Sequence, residues 1–210
     1  MASLQDLSEI IIIGDFEKSK DITQKLIDQG INATDILNKS LLPGMDIVGQ
    51  RFKADEMYIP EVLMSARAMH DAMDIIKPML SKSGFVAKET IVLGTVKGDI
   101  HAIGKGIVAM MLEGAGYTVI DIGVDVPNDK FVEAVKNNNA KIVGLSALLT
   151  TTIPVMKDVI SAIRSDSEIK AVKVIVGGAP VTQEYADSIS ADGYAYDAIN
   201  AVELVKKLLS

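Results

Sequence analysis

Residues 90–104 decide the fold, and they read Thr-Ile-Val-Leu-Gly-Thr-Val-Lys-Gly-Asp-Ile-His-Ala-Ile-Gly. The apolar, β-branched first half predicts a strand, and the glycines of the second half predict a tight turn into a helix. Asp99 stands two residues before His101 in this turn, between Gly98 and Gly104. A carboxylate at that spacing can hold one imidazole nitrogen while the turn pushes the ring outward. His101 is therefore a candidate metal ligand, although a solvated or capping histidine is the commoner occupant of such a turn.

The same strand-to-helix pattern repeats through the rest of the chain. Strands are predicted at 90–96, 117–122, 141–146, 172–176 and 193–196, and helices at 104–113, 128–138, 153–165, 182–190 and 198–209. Five βα units imply a doubly wound parallel sheet. In the flavodoxin-like strand order 2-1-3-4-5, ligands bind beyond the carboxyl ends of the first and third strands. His101 follows the first strand and Ser146 ends the third, so both residues should lie at this crevice.

Before this region the apolar residues recur at helical spacing. Four helices are predicted, at 4–13, 18–29, 34–52 and 60–80. Pro43-Gly44 should bend or break the third helix, because proline removes a backbone donor and crowds the preceding turn. Residues 81–84, Ser-Lys-Ser-Gly, have the composition of a linker. We therefore expect a four-helix bundle over 1–82 and, over 83–210, a Rossmann-like α/β domain with a five-stranded parallel sheet.

Composition narrows the function classes. The chain has 210 residues, of which 49% are hydrophobic, enough for a sizeable buried core. Its net charge of -7 argues against general binding to nucleic acid or anionic membranes, which needs clustered Lys and Arg. The absence of cysteine excludes disulfides, thiolate metal ligands and a cysteine nucleophile. The acidic N-terminal stretch fits neither a signal peptide nor a membrane span, so we expect a cytoplasmic protein.

Two further motifs complete a pattern that resembles a known family. Ser146-Ala147-Leu148-Leu149-Thr150 and Gly177-Gly178 each follow a β-branched run. The motifs Asp-x-His-x-x-Gly, Ser-x-Leu and Gly-Gly, in this order and at these separations, resemble the signature of base-off, His-on cobalamin-binding proteins. Phe52 and the segment 57–61, Met-Tyr-Ile-Pro-Glu, resemble part of the helical cap module of methionine synthase and of the corrinoid proteins of multi-component methyltransferases. The resemblance covers nearly the whole chain.

The resemblance implies a role for each motif residue. His101 would be the lower axial ligand to cobalt in place of the cofactor's dimethylbenzimidazole, with Asp99 on its other nitrogen and Ser146 next in a relay. The glycine pair would leave room for the displaced nucleotide tail. The other implied cofactor-binding residues are Gly98, Ile100, Ala102, Gly104, Leu148 and Thr150 near the motifs, Tyr194 and Ala198 beside the last strand, and Phe52 and Ile59 over the corrin's upper face. Turn formation, backbone satisfaction and core packing are the ordinary alternatives for these residues.

The function implied by the resemblance is that of a corrinoid methyl carrier. Its cobalamin would take a methyl group from a substrate-specific methyltransferase and pass it to a second methyltransferase, acting on tetrahydrofolate or coenzyme M, with a reductive activating protein as a further partner. The chain has no substrate-binding barrel, so it should not turn over alone. The methyl donor stays open among methanol, methylamines, glycine betaine and aryl methyl ethers, because specificity belongs to the partner.

The sequence leaves three alternatives to the methyl-carrier function. The cobalamin-binding subunit of an adenosylcobalamin mutase shares the histidine motif but usually lacks the helical cap. A cobalamin sensor would ordinarily carry a DNA-binding or signalling module, and no basic helix-turn-helix segment is visible. A nucleotide-binding flavodoxin-like or receiver domain is disfavoured, because the first strand is followed neither by Gly-x-Gly-x-x-Gly nor by an acidic cluster.

Overall fold

The structure, a computed structural model, describes residues 2–82 and 88–210 and divides into two compact units. The helical unit takes in the chain before the first strand together with Glu113–Gly116, and the α/β unit takes in Lys88–Leu112 and Tyr117–Ser210. The predicted linker at 81–84 lies partly outside the described residues. Its first two residues end a helix, and positions 83 and 84 fall in the part that is not described.

The helical unit is built from α1 to α5, whose bounds are Leu4–Ile13, Phe16–Asp28, Ala33–Ile36, Leu42–Lys53 and Ile59–Lys82. Side-chain caps begin the first three of these helices: Ser3, Asp15 and Asn32 each accept a hydrogen bond from a backbone N–H three residues on. Buried apolar stripes, with Leu7 and Ile76 fully enclosed, hold the unit together. Within the described part of the chain, no helix has the length and apolar character needed to span a membrane.

Of the two outcomes predicted at Pro43-Gly44, a bend or a break, the break is wrong. The backbone stays helical from α3 through a π-helical segment, Leu37–Leu41, into α4. Pro43, the second residue of α4, has no N–H to donate to the preceding turn. The widened π-helical turn directly before it is a common way for a helix to absorb a local irregularity.

The α/β unit is a five-stranded parallel sheet, as predicted, and its strand order β2-β1-β3-β4-β5 is the flavodoxin-like one considered above. Strands β1 to β5 are Lys88–Thr95, Tyr117–Asp121, Ile142–Ser146, Lys173–Gly177 and Gly193–Ala195. Helices α6 to α10 are Ile103–Gly114, Asn128–Asn137, Pro154–Ser165, Gln183–Ser188 and Ala198–Leu208. The central strands are apolar runs rather than alternating patterns because helices cover both faces of such a sheet.

The strand register sets the position of the candidate site. Thr95 at the end of β1 pairs with Ser146 at the end of β3, Ser146 pairs with Gly177 at the end of β4, and Gly177 pairs with Ala195. These residues therefore form one row across the carboxyl edge of the sheet. The loops that follow β1, β3 and β4 leave the sheet side by side.

Candidate functional site

The loop between β1 and α6 carries His101 and is held in a tight turn. Gly98 has a φ of +84°, a conformation that favours glycine, and the N–H of Asp99 donates to the carbonyl of Val96 over 3.1 Å. The hydroxyl of Thr95 donates to the carbonyl of His101 over 3.0 Å. The turn leaves 44% of the His101 side chain exposed. The imidazole is thus presented at the carboxyl end of β1.

The Asp99 carboxylate joins this turn to the loop after β3. One carboxylate oxygen, Oδ1, accepts the backbone N–H of His101 over 3.0 Å and lies 2.7 Å from Nδ1 of its ring. The other, Oδ2, accepts from the N–H groups of Leu148 and Leu149 over 2.7 and 3.1 Å and from the Thr152 hydroxyl over 2.8 Å. Asp99 itself is fully buried. A buried charge is tolerated here because each oxygen has its own donors.

These donors decide the charge state of the Asp99 carboxyl group. Burial alone raises the pKa of Asp99, but the hydrogen bonds from Leu148, His101 and Thr152 outweigh burial and hold that pKa well below its usual range. An ionised carboxylate only accepts hydrogen bonds, so Nδ1 of His101 is the nitrogen that carries the proton. In the neutral ring, Nε2 then keeps its lone pair free. The arrangement prepares Nε2 as a ligand for a metal ion.

The surroundings of His101 fit a corrin, a large metal macrocycle with extensive apolar surface. Ile100 and Ile103, on either side of His101 in the chain, are 73% and 84% exposed, far above what large apolar side chains usually show. Leu148 and Leu149, which hold Asp99, are exposed as well. A methyl group added at Gly104, in the first turn of α6, would meet no atom within 4 Å. An outward-facing imidazole, exposed apolar side chains and open space at the helix start are features that such a cofactor could use.

The glycine pair after β4 is required by the backbone itself. Gly178 has a φ of +130°, and a Cβ at this position would lie 1.9 Å from the carbonyl oxygen of Ala147. A Cβ at Gly177 would lie 2.9 Å from the carbonyl oxygen of Ala195. The end of β4 therefore packs directly against the backbone beside it. Room for a nucleotide tail at these glycines stays a prediction.

We expect Gly178→Ala to lower the free energy of unfolding by about 3 kcal/mol, through the backbone strain and the clash with Ala147. Gly123→Ala is the matched control: Gly123 has a φ of +93°, yet its Cβ would meet nothing within 4 Å. The control should lose only about 1 kcal/mol, since it carries the strain without the clash. Urea unfolding of the two variants measures the difference, and equal losses would contradict the close approach at Gly178.

One predicted relationship concerns the hydroxyl next to Asp99. Ser146 was expected to follow Asp99 in a relay, which stays a prediction, and among the described contacts of Asp99 the side-chain hydroxyl is that of Thr152. Ser146 ends β3 half-buried, and its carbonyl accepts the N–H of Val96 over 3.0 Å. Sequence reasoning missed Thr152, although it lies in the run Thr150-Thr151-Thr152 directly after the motif. Only the fold determines which hydroxyl turns inward: Thr152 is buried and Thr150 is exposed.

The remaining predicted residues fall into two groups. Tyr194, in β5, and Ala198, at the start of α10, are half-buried near the carboxyl edge of the sheet, and Ala102 is exposed beside His101. Phe52, near the end of α4, is half-buried, and Ile59, the first residue of α5, is exposed. These last two belong to the helical unit. Their contact with a cofactor, like that of the other predicted residues, stays a prediction.

Comparison with known proteins agrees with this geometry. A family model described as a B12 binding domain matches residues 89–203, and a second model with the same description matches residues 3–77. A corrinoid protein of Desulfitobacterium hafniense (strain Y51) is 42% identical over 100% of this chain and 98% of its own length. The dimethylamine corrinoid protein of Methanosarcina barkeri is 41% identical over 99% of this chain and 97% of its own.

A solved structure gives the same result in three dimensions. The methanol:cobalamin methyltransferase complex of Methanosarcina barkeri superposes with a TM-score of 0.83 at 28% identity, over 97% of this chain and 78% of the other. The family model over the α/β unit and the full-length relatives place the chain without ambiguity. The chain therefore belongs to the B12-binding corrinoid proteins, whose cofactor is cobalamin or a related corrinoid.

Proposed function

We propose that the protein is a methyl carrier that holds its corrinoid through His101. The observation that carries this proposal is the Asp99–His101 pair, in which a buried, ionised carboxylate fixes Nδ1 and leaves Nε2 free. His101 would hold the cobalt through Nε2, in place of the cofactor's own dimethylbenzimidazole. The bound corrinoid supplies a cobalt centre that accepts and releases a methyl group.

The residues of this chain set the ligation. Asp99 orients the imidazole through the contact between its Oδ1 and Nδ1 of the ring. The N–H groups of Leu148 and Leu149 and the hydroxyl of Thr152 keep the carboxylate in place. The ligand strength of His101 is thereby tied to the loop after β3.

The displaced nucleotide tail runs, in this proposal, along the carboxyl edge of the sheet. The register supports it, since Ser146 pairs with Gly177 in neighbouring strands. Ser146 and Thr150 supply hydroxyls for hydrogen bonds, and Tyr194 and Ala198 flank the same edge. A glycine at 177 and at 178 keeps side-chain bulk away from it.

The helical residues 1–82 act as a separate domain that shields the upper face of the corrin. Phe52 and Ile59 are the side chains proposed to lie over that face. The exposure of Ile59 and of its neighbour Tyr58 supports this role, because large apolar side chains are usually covered. Residues 83–210 form the cofactor-binding domain.

The partners are methyltransferases that dock in turn. A substrate-specific enzyme delivers the methyl group, and a second enzyme transfers it to tetrahydrofolate or coenzyme M. A reductive activating protein restores the cofactor after oxidation. The relatives named for dimethylamine and the methanol complex support methylated amines and methanol as donors to test first.

Methylation by a panel of substrate-specific methyltransferases tests this function. The corrinoid-loaded protein, reduced beforehand, is mixed with enzymes specific for methanol, dimethylamine or trimethylamine and the matching substrate. We expect the absorbance of the methylated cofactor to develop with one enzyme far faster than with free cobalamin at the same concentration. Rates no higher than those of free cobalamin with every enzyme would contradict a carrier role in these systems.

A further inference from the structure

Asp125, in the loop between β2 and α7, contacts the His101 loop at two points. Its carboxylate oxygen Oδ1 accepts the N–H of Gly98 over 2.7 Å. Its own N–H donates to the carbonyl of Asp99 over 2.8 Å. Both groups belong to the backbone of the turn that presents His101. Asp125 therefore holds this turn by a two-point clamp.

The backbone of Asp125 is strained where it makes these contacts. Its φ is +53°, in the left-handed region that non-glycine residues seldom adopt, although aspartate tolerates it better than most. Strain of this kind persists only where surrounding contacts fix it, and it concentrates at functional sites. The flanking residues supply that support: Thr95 donates to the carbonyl of Gly123 and accepts from Val126, each over 3.0 Å.

The clamp complements the hold on Asp99. In the sheet, β1 lies between β2 and β3. The loop after β3 binds the Asp99 carboxylate, whereas the loop after β2 binds the backbone of Gly98 and Asp99 through Asp125. The turn before His101 is thus fixed from both neighbouring strands. If either set of contacts is lost, the turn that carries the imidazole is fixed from one neighbouring strand only.

We propose that Asp125 is a positioning residue for His101, which sets the direction of its ring by clamping the turn from the β2 side. The inference rests on the proposed role of His101 as the cobalt ligand. It adds a residue whose described contacts are with the backbone of Gly98 and Asp99 and not with the imidazole. Its effect is transmitted through the Gly98–Asp99 backbone.

Three substitutions separate the acceptor from the backbone strain. Asp125→Gly keeps the left-handed conformation available but removes the hydrogen-bond acceptor. Asp125→Asn keeps the acceptor and tolerates the left-handed conformation, whereas Asp125→Ala lacks the acceptor and disfavours that conformation. Ser190→Ala is the control, because Ser190 has a φ of +57° on an exposed turn elsewhere in the α/β unit. We expect about tenfold weaker cobalamin binding for Asp125→Gly, from the lost hydrogen bond to a charged acceptor. Asp125→Asn should bind within about threefold of the parent protein, since its amide oxygen can accept the same bond.

Histidine-ring NMR of the cofactor-free protein gives a readout that does not depend on activity. The chain contains two histidines, His70 and His101, so His70 is an internal reference. Asp125→Gly and Asp125→Ala should shift and broaden the ring signals of His101 while those of His70 stay unchanged. Asp125→Asn should restore the His101 signals, and Ser190→Ala should leave them untouched.

The outcomes separate this inference from the proposed function. Unchanged His101 signals and unchanged cobalamin binding in both Asp125→Gly and Asp125→Ala would overturn the inference. A variant that does not unfold cooperatively on heating is misfolded, and the other variant then provides the test of the positioning role. Cobalt(II) spectra of the ¹⁵N-histidine-labelled parent protein that show only nitrogen-14 coupling would instead overturn the ligand role itself. Nitrogen-15 coupling in the parent protein, together with unchanged His101 signals and unchanged cobalamin affinity in the Asp125 variants, would overturn only the positioning role.

Discussion

His101→Ala should remove protein-nitrogen ligation from the bound corrinoid and weaken cobalamin binding about 100-fold, since even the loss of a residue that only orients a metal ligand typically lowers affinity 10- to 100-fold. The reason is geometric. Nε2 of His101 is the free nitrogen that the Asp99 contact aims outward. Absorbance titration with cobalamin measures the affinity, and the spectrum of the bound form reports the ligand.

His70→Ala is the matched control for this change. His70 lies in α5, exposed, with its ring Nδ1 3.4 Å from Asp74. Its replacement should leave both the affinity and the spectrum as in the parent protein. Equal binding and equal spectra for His101→Ala and His70→Ala would exclude His101 as the ligand.

Asp99→Ala should lower the free energy of unfolding by about 4 kcal/mol, because it leaves three partly buried backbone donors without an acceptor at about 1–3 kcal/mol each. These donors are the N–H groups of His101, Leu148 and Leu149, whereas the hydroxyl of Thr152 keeps a second acceptor, the carbonyl of Leu149, at 2.9 Å. The same substitution frees the His101 ring, so the corrinoid should also bind more weakly. Urea unfolding of the cofactor-free protein isolates the first effect.

Two graded variants define the contribution of the carboxylate. Thr152→Val removes one donor in the same shape and should cost about 1–2 kcal/mol. Asp99→Asn keeps the shape of the side chain but removes its charge. Its decrease in the free energy of unfolding should therefore fall between the decreases for Thr152→Val and Asp99→Ala. A loss in Asp99→Ala no larger than that in Thr152→Val would show that the carboxylate does not organise the two loops.

The sheet could be predicted from the sequence because its signals are local and repeated. Each of the first four strands contains a β-branched run followed by glycine or by a polar turn, and the strands alternate with amphipathic helices. Ile91 and Val92 are adjacent in the chain and both fully buried, as expected of a strand covered on both faces. The break at Pro43 was predicted wrongly because the helix continues through the proline by way of a π-helical turn, Leu37–Leu41, which has no signal in the sequence.

The details of the site lay beyond the sequence for physical reasons. Ser146 ends β3, and Thr152 lies in the loop that follows it. Only the path of that loop determines that the Thr152 hydroxyl reaches Asp99. Asp125 is an ordinary residue in sequence, and its importance arises from a left-handed φ and from the turn it faces. Gly178 was attributed to space for a ligand, whereas its backbone contact with Ala147 already requires glycine.

Electron paramagnetic resonance of the cobalt(II) form, with ¹⁵N-histidine in the protein and unlabelled cobalamin, tests the central claim most directly. Nitrogen-14 splits each cobalt line into a triplet and nitrogen-15 into a doublet, so the source of the axial nitrogen can be assigned without any mutation. If His101 is the ligand and the dimethylbenzimidazole is detached, the labelled protein gives doublets and the unlabelled protein gives triplets. Triplets in both samples would mean that the nitrogen comes from the cofactor, and the His-on account would be wrong.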